Sequence, residues 1–371
     1  MHSRAGPPFK LSRRNLLGAG WAGLTGLARA EQVNARYQPM AFPRDYGSHP
    51  DFHTEWWYVT GYADSRDSSG PREFGFQLTF FRSRVAATQE MKSAFAARQL
   101  IFAHAALTDV RGKKLVHDQR IARSSGHAGF DLASASESDT AIYLRDWSLL
   151  HEGRSYAAVL PAHGFGLDLH LQETQTVLLQ GDQGISRKGP RPGEISHYYS
   201  QPQLAVQGTL QLGAQPFEIS SGRAWLDHEW SDELLDPRAV GWDWIGMNLD
   251  DGSALTAFRI RNSAGNALWD GGSFRSAAGA LRTFHHGEVT FSPQRHWESP
   301  STRTTYPVQW SVGTPAGVYT VTAVVDNQEL DSRASTGAIY WEGLSDLLDS
   351  RGRRVGRGYL EMTGYTHPLR L

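Results

Sequence analysis

The sequence predicts an all-β protein built as two tandem antiparallel β-barrels. Three observations carry this. Runs of β-branched, aromatic and alternating residues recur along the chain, separated by clusters of Gly, Asp and Ser. The 371 residues fit two barrels of about 150–180 residues better than one core. An aromatic-opened hairpin also recurs. Glu55-Trp56-Trp57 leads through a turn to Phe74–Phe81, Trp242-Asp243-Trp244 to Ala254–Ile260, and Tyr340-Trp341-Glu342-Gly343 to Gly358–Met362.

Residues 1–30 read as a leader. Ser12-Arg13-Arg14-Asn15-Leu16-Leu17 is a twin-arginine signature, an apolar stretch follows through Leu27, and Ala28-Arg29-Ala30 offers small residues for a peptidase. The expectation is export of a folded protein to the periplasm by the twin-arginine pathway. The apolar stretch is shorter than the ~20 residues that span a bilayer, and no later run is longer, so no transmembrane segment is expected. Five of the 37 basic residues and none of the 38 acidic ones lie in 1–30. The remainder therefore carries 32 basic against 38 acidic residues, a net of −6. That balance gives no electrostatic footprint for nucleic acid and no polybasic segment for anionic lipid. The chain has no cysteine, which excludes disulfides, thiolate nucleophiles and cysteine metal sites.

Residues 31–45 read as an extended lead-in, 46–232 as the first barrel and 233–371 as the second. Phe74–Phe81 is a strand of aromatics and β-formers. Leu167-Asp168-Leu169-His170-Leu171-Gln172 alternates, placing three leucines on one face. Leu204–Leu212 and Val318–Val325 follow the same logic. Turn clusters fall at 64–70, 181–193, 250–252 and 349–352. Ala86–Leu100, rich in Ala, Gln and Lys, predicts a short helix.

Two segments carry the candidate chemistry: His53-Thr54-Glu55-Trp56-Trp57-Tyr58 and Asp227-His228-Glu229-Trp230. Strand side chains alternate with period two. His53, Glu55 and Trp57 thus share one face, and Thr54, Trp56 and Tyr58 the other. Asp227 and Glu229 likewise oppose His228 and Trp230. Two readings stand side by side. In one, a low-dielectric pocket raises Glu55 toward neutrality, and Glu55, Asp227 and His228 act as catalytic acid–base groups. In the other, these residues form a hydrogen-bonded network that ties a barrel end. A metal held by His53, Glu55, His228 and a further carboxylate is chemically allowed, but the His-x-x-x-His spacing of a helical site is missing, and no metal or other cofactor is expected. Most of the 12 tryptophans must pack the cores. Trp57, Trp230 and Trp244, with His53 and Tyr199, are expected to line an apolar ligand site. Tyr198 and Tyr199 follow a Gly/Pro-rich loop, and His285-His286 reads as a solvated pair. No phosphate-binding glycine loop and no G-x-S-x-G elbow occurs, so hydrolase chemistry has no residue-level support.

These motifs resemble the lipocalin-like family that includes carotenoid 1,2-hydratases and the AttH-type exported proteins often labelled "predicted secreted hydrolase". The resemblance rests on the two segments above, Phe76–Arg82, Tyr198-Tyr199-Ser200, Gly222–Ser231, Tyr340–Gly343 and Gly358–Tyr365, in order along nearly the whole chain. It implies two consecutive lipocalin-like barrels and an association with ABC-type export systems for lipid or lipoprotein-like cargo. The function it implies is binding of an apolar lipid or isoprenoid-like molecule. One alternative is cofactor-free hydratase or isomerase chemistry, and a second is a structural accessory subunit without a ligand. Hydration of an isolated double bond needs a strong general acid, aromatic rings to stabilise the cation, and a positioned water. In the hydratases a histidine and tryptophan two apart are followed, on the next strand, by a tyrosine and aspartate two apart. His228 and Trp230 match the first pair. Phe258 and Ile260 stand at the second, and neither can serve as the acid.

Overall fold

The computed structural model describes residues 38–127, 131–233 and 235–369; the leader expected over 1–30 lies outside them. The first sheet holds β1 (Thr54–Asp67), β2 (Gly70–Arg84), β3 (Gln99–Asp109), β4 (Lys114–Ser124), β5 (Ala133–Ala135), β6 (Ala141–Leu144) and β7 (Trp147–Glu152). It continues through β8 (Ser155–Ala162), β9 (Phe165–Gln172), β10 (Leu178–Leu179), β11 (Ile185–Arg187), β12 (Ile195–Leu212), β13 (Gln215–Glu218) and β14 (Ser221–Ser231). Its order is β4-β3-β2-β1-β14-β12-β9-β8-β7-β6-β5. The edge strands β4 and β5 come together, so this barrel is nearly closed. The second sheet holds β15 (Ala239–Leu249), β16 (Ala254–Asn262), β17 (Ala267–Arg275), β18 (Leu281–Phe284), β19 (Thr290–Glu298), β20 (Thr305–Thr314), β21 (Gly317–Ala323), β22 (Glu329–Asp331), β23 (Ile339–Leu348) and β24 (Arg354–Met362). Its order is β18-β17-β16-β15-β24-β23-β21-β20-β19. All the strand pairs are antiparallel, and the all-β two-barrel architecture read from the sequence is the one observed.

The three aromatic-opened hairpins are β1–β2, β15–β16 and β23–β24. Both sheets are wired alike. Each starts with a three-strand meander, and its last strand returns beside its first: β14 beside β1, β24 beside β15. The leucines of β9 are buried while Asp168, His170 and Gln172 face out, as the alternation requires. Among the described residues the segment after β2 holds only a 3-10 turn, Ala86–Thr88, in place of the expected helix. Its side chains compete for the backbone: Gln89 Nε2 donates to the carbonyls of Val85 (2.9 Å) and Arg98 (2.7 Å), and Thr88 Oγ1 to that of Val85 (3.1 Å).

Four apolar clusters result among the described residues, three of them large. One fills the first barrel, with Trp57, Phe76, Trp147 and Leu169. A second fills the other barrel, with Met247, Trp310 and Trp341. A third lies where the barrels meet and joins Tyr58 and Trp225 of the first to Trp244, Phe258 and Tyr359 of the second. No helix among the described residues is long and apolar enough to cross a membrane.

Candidate functional site

The strand pair β1–β14 places Glu55 opposite Trp230 and Trp57 opposite His228, while Trp56 meets Glu229 and Tyr58 meets Asp227. Because side chains alternate, the first four point into the barrel and the other four point out of it. Each face carries its own polar cluster.

The inner cluster is an ionic knot at the barrel end. Glu55, fully buried, accepts from Ser48 Oγ (2.9 Å), the His49 backbone N–H (3.0 Å) and Arg82 Nε (2.7 Å). His49 Nδ1 and His228 Nε2 lie 2.8 and 2.9 Å from the same carboxylate. Arg82 also donates to the carbonyls of His49 and Phe52. Burial pushes the Glu55 carboxyl up, but the hydrogen bonds of His228 and His49 and the Arg82 charge outweigh it and hold the group well below the usual carboxylate range. Burial drives His228 down to about 4 against the pull of Glu55, so its ring is neutral. Trp57 stacks on His228 (4.4 Å), Trp230 lies between His49 (3.7 Å) and His197 (5.0 Å), and the Tyr199 hydroxyl meets His228 Nδ1 (3.1 Å).

This arrangement corrects several expectations. Glu55 is an anion with no proton to give, because a guanidinium shares its site. His228, Trp57, Trp230 and Tyr199 are buried in the barrel interior and are not among the residues that line the cavity between the barrels. His53 is exposed: the strand starts at Thr54, so the alternation does not reach it, and His49 takes the expected place in the knot. His49, Glu55 and His228 are the one group among the described residues whose ligand atoms, within 4.8 Å of one another, lie close enough to share a metal ion. Those atoms already hydrogen-bond one another, and Arg82 already supplies the positive charge, so an ion there would have to displace a satisfied network.

The outer cluster lines a cavity of about 150 Å³ between the barrels. The first barrel contributes Trp56, Tyr58, Asp227, Glu229, Tyr198 and His104; the second contributes Trp242, Trp244, Phe258, Ile260, Tyr340, Glu342 and Glu361. The two barrels build it the same way. Trp56 sits opposite Glu229 across β1–β14, and Trp244 sits opposite Glu361 across β15–β24. Gly246 lets the Trp244 ring lie flat along its own strand, since a Cβ there would collide with the indole.

Three carboxyls of this cavity, Asp227, Glu342 and Glu361, are pushed above their usual range. Burial raises Asp227 to about 7, against hydrogen bonds from Ser200 Oγ (2.5 Å), Tyr198 Oη (2.8 Å) and Trp225 Nε1 (2.6 Å). Glu342 and Glu361 are cross-strand partners on β23 and β24. Burial raises both, and charge on Glu361 pushes Glu342 further, well above the usual range. Two such carboxyls titrate as a pair, one keeping its proton while the other ionises. Glu229 is neutralised by Lys188 Nζ at 2.8 Å. Burial drives His104 to about 3, leaving a neutral ring between Tyr340 Oη and Ser335 Oγ, each at 2.8 Å. The site therefore offers carboxylic acids among indole and phenol rings, which is the equipment for protonating an apolar substrate and stabilising a cation.

A family model described as AttH-like matches residues 33–365. The chain belongs to the AttH-like family. A putative AttH from Nitrosomonas europaea is 44% identical, with 88% of this chain and 98% of that one covered and a TM-score of 0.80. Kievitone hydratase from Nectria haematococca is 13% identical over 89% of this chain and 94% of its own, with a TM-score of 0.68, and shares the fold. CghA is 10% identical over 88% and 94%, with a TM-score of 0.50. No curated protein matches the sequence.

In this AttH-like chain, sequence reasoning found Asp227 and Trp244 in the cavity and missed Trp56, Tyr58, Trp242, Glu342 and Glu361 as site residues. The signal was present. Period two already separated Trp56 and Tyr58 from Glu55, and the acids of Tyr340-Trp341-Glu342 and Tyr359-Leu360-Glu361 stand beside aromatics. Phe258 and Ile260 do line the cavity, and they are apolar there; the acids come from β14, β23 and β24. The raised Asp227 fixes a stability trend. A carboxyl whose folded pKa lies above its unfolded value gives stability that is complete below the unfolded pKa and is lost as pH rises through the folded one. Wild type therefore loses stability between about pH 4 and pH 7 from this group. The melting temperature of Asp227→Asn relative to wild type should rise from pH 5 to pH 8 in thermal scans. A constant difference across that range contradicts the burial of an uncompensated acid here.

Proposed function

We propose that the chain takes up an apolar, unsaturated lipid or isoprenoid-like molecule between its barrels and acts on it as a cofactor-free hydratase or isomerase. One observation carries this reading: Asp227, Glu342 and Glu361 are buried carboxyls with raised pKa values, converging on one aromatic cavity. A pocket that only binds apolar ligand gains nothing from buried acids without cationic partners, whose burial costs stability. Glu342 donates its proton to an alkene carbon. The resulting cation lies among the rings of Trp56, Trp242 and Trp244. Water then adds to the cation and gives a proton to an ionised carboxylate, Glu361 or Asp227. For isomerisation, the same carboxylate takes a neighbouring C–H proton instead. Either way the proton count closes within the acid set.

The reaction is tested by incubating purified protein with a panel of unsaturated isoprenoids and lipids in isotopically labelled water. Labelled hydroxyl, or label on a carbon next to a shifted double bond, is the expected result. Full occupancy of the cavity with every substrate recovered unlabelled leaves only the binding half of the reading.

Export to the periplasm by the twin-arginine pathway is the second part of the proposal, and Ser12-Arg13-Arg14-Asn15-Leu16-Leu17 supports it. Replacing Arg13 and Arg14 by lysine should leave the precursor in the cytoplasm upon fractionation. A wild-type chain that is itself cytoplasmic overturns this part. The family resemblance supports an ABC-type export system as partner, and a pull-down with periplasmic bait protein tests it.

A further inference from the structure

We propose that the ligand is amphipathic, and that its anionic end, a carboxylate or a phosphate, is held by Arg187 and His286 in a second chamber adjoining the inter-barrel cavity. The inference rests on the reading above and names the class of molecule. It begins from size. A cavity of about 150 Å³ holds a benzene-sized molecule, whereas sites for drug-sized ligands run to about 300–1,000 Å³. A lipid or isoprenoid that places its double bond among the acids must therefore continue elsewhere.

The structure supplies the space. A second chamber of about 470 Å³ lies next to the first, and Tyr198 and Phe258 line both. These two rings are the partition. Lys188 Nζ sits over them, 4.7 Å from the Tyr198 centroid and 4.6 Å from that of Phe258, while pairing with Glu229 of the first cavity. The proposal requires the ligand's chain to pass these two rings, which border both chambers.

The second chamber differs in chemistry. The Arg187 guanidinium lies 5.0 Å over the Trp269 ring, and His286 stacks on Trp269 at 4.3 Å with an 8° interplanar angle. Arg187 Nη2 donates to the carbonyls of Gly189 and Pro190, which fixes the guanidinium plane. Asp270 is buried and takes His286 Nδ1 at 2.7 Å. Its charge is otherwise absorbed by the backbone N–H groups of Gly287 and Val289. With Nδ1 committed, Nε2 is the polar atom the imidazole has left for a ligand. Asp182 is the other acid that lines the chamber, along with Arg187, His285 and His286. The donors that remain suit an anion, and a guanidinium beside an imidazole suits a carboxylate or phosphate in particular. His285 and His286 are both exposed, as the sequence implies, and His286 is the one the proposal uses.

The test is isothermal titration calorimetry on the purified protein with dodecanoate and dodecyl phosphate below their micelle concentrations and dodecanol below its solubility limit. One or both anions should bind about tenfold tighter than the alcohol, and the larger margin tells carboxylate from phosphate. Arg187→Gln and His286→Gln should each remove most of that margin and leave dodecanol affinity unchanged. Equal affinity of wild type for all three, or a margin that persists in the double variant, overturns the inference while dodecanol binding keeps the apolar cavity in place. Failure of all three to bind overturns the inference together with the reading it rests on.

Discussion

Arg82→Leu lowers the unfolding free energy by about 3–5 kcal/mol, the usual consequence of stripping a buried charge of its partner. Arg82 and Glu55 are both buried, at 2% and 0% exposure, and are joined at 2.7 Å. Leucine fills the volume but leaves Glu55 an anion facing His49 and a neutral His228. Glu55→Gln in the Arg82→Leu background recovers part of the loss, so the two substitutions together cost less than their sum. Urea midpoints at pH 7 measure both. The effect also depends on pH. Glu55 is held below its unfolded pKa, so its contribution is present above the ordinary carboxylate range and fades as pH falls through its depressed folded value. The gap between wild type and Arg82→Leu should accordingly narrow on strong acidification. A loss under about 1 kcal/mol at pH 7, the scale of an exposed pair, contradicts the knot. A catalytic Glu55 would behave differently, with Glu55→Gln ending turnover in a protein of unchanged stability.

The second barrel repeats this device, which explains what the sequence could and could not reveal. Glu55 faces Arg82 across β1–β2, and Asp243 faces Arg259 across β15–β16, each acid bonded to its arginine at 2.7 Å. The residue after each acid, Trp56 or Trp244, turns to the cavity. An acid–tryptophan step at the start of a strand therefore encodes two things at once: a structural ion pair inside the barrel and an indole outside it. Both barrels and all three hairpins were legible because period two and turn residues are local signals. The faces of the strands were legible too. The choice between the faces was not, because it depends on which barrel surface the partner barrel covers, and no local pattern states that. Glu55 and His228 drew attention as a pair and do meet, at 2.9 Å, but between adjacent strands of one barrel. Glu342 and Glu361 looked like landmarks because their burial comes from the first barrel, more than a hundred residues away. The helix expected over Ala86–Leu100 failed for a local reason, the capture of backbone carbonyls by Thr88 and Gln89.

Glu342→Gln lowers kcat by about 10²–10⁴-fold, the range for removing a general acid, and leaves the fold intact. The reasoning separates charge from proton. Burial and the neighbouring Glu361 push the Glu342 carboxyl well above its usual range. Glutamine matches its shape and its neutral state, so what is lost is the transferable proton. Wild type should show a bell-shaped rate against pH, with the rising limb reporting ionisation of the accepting carboxylate and the falling limb loss of the proton from the donor. Glu361→Gln tests the partner. Removing the charge that holds Glu342 up lets Glu342 ionise at lower pH, and the falling limb moves toward acid. With Asp227 as the acceptor the two variants leave different signatures in one assay, a depressed plateau for Glu342→Gln and a displaced limb for Glu361→Gln; a plateau depressed in both assigns the acceptor role to Glu361. Unchanged kcat in Glu342→Gln would remove it as the donor and leave Asp227 and Glu361, both raised to about 7, as the acids of the cavity able to fill that role.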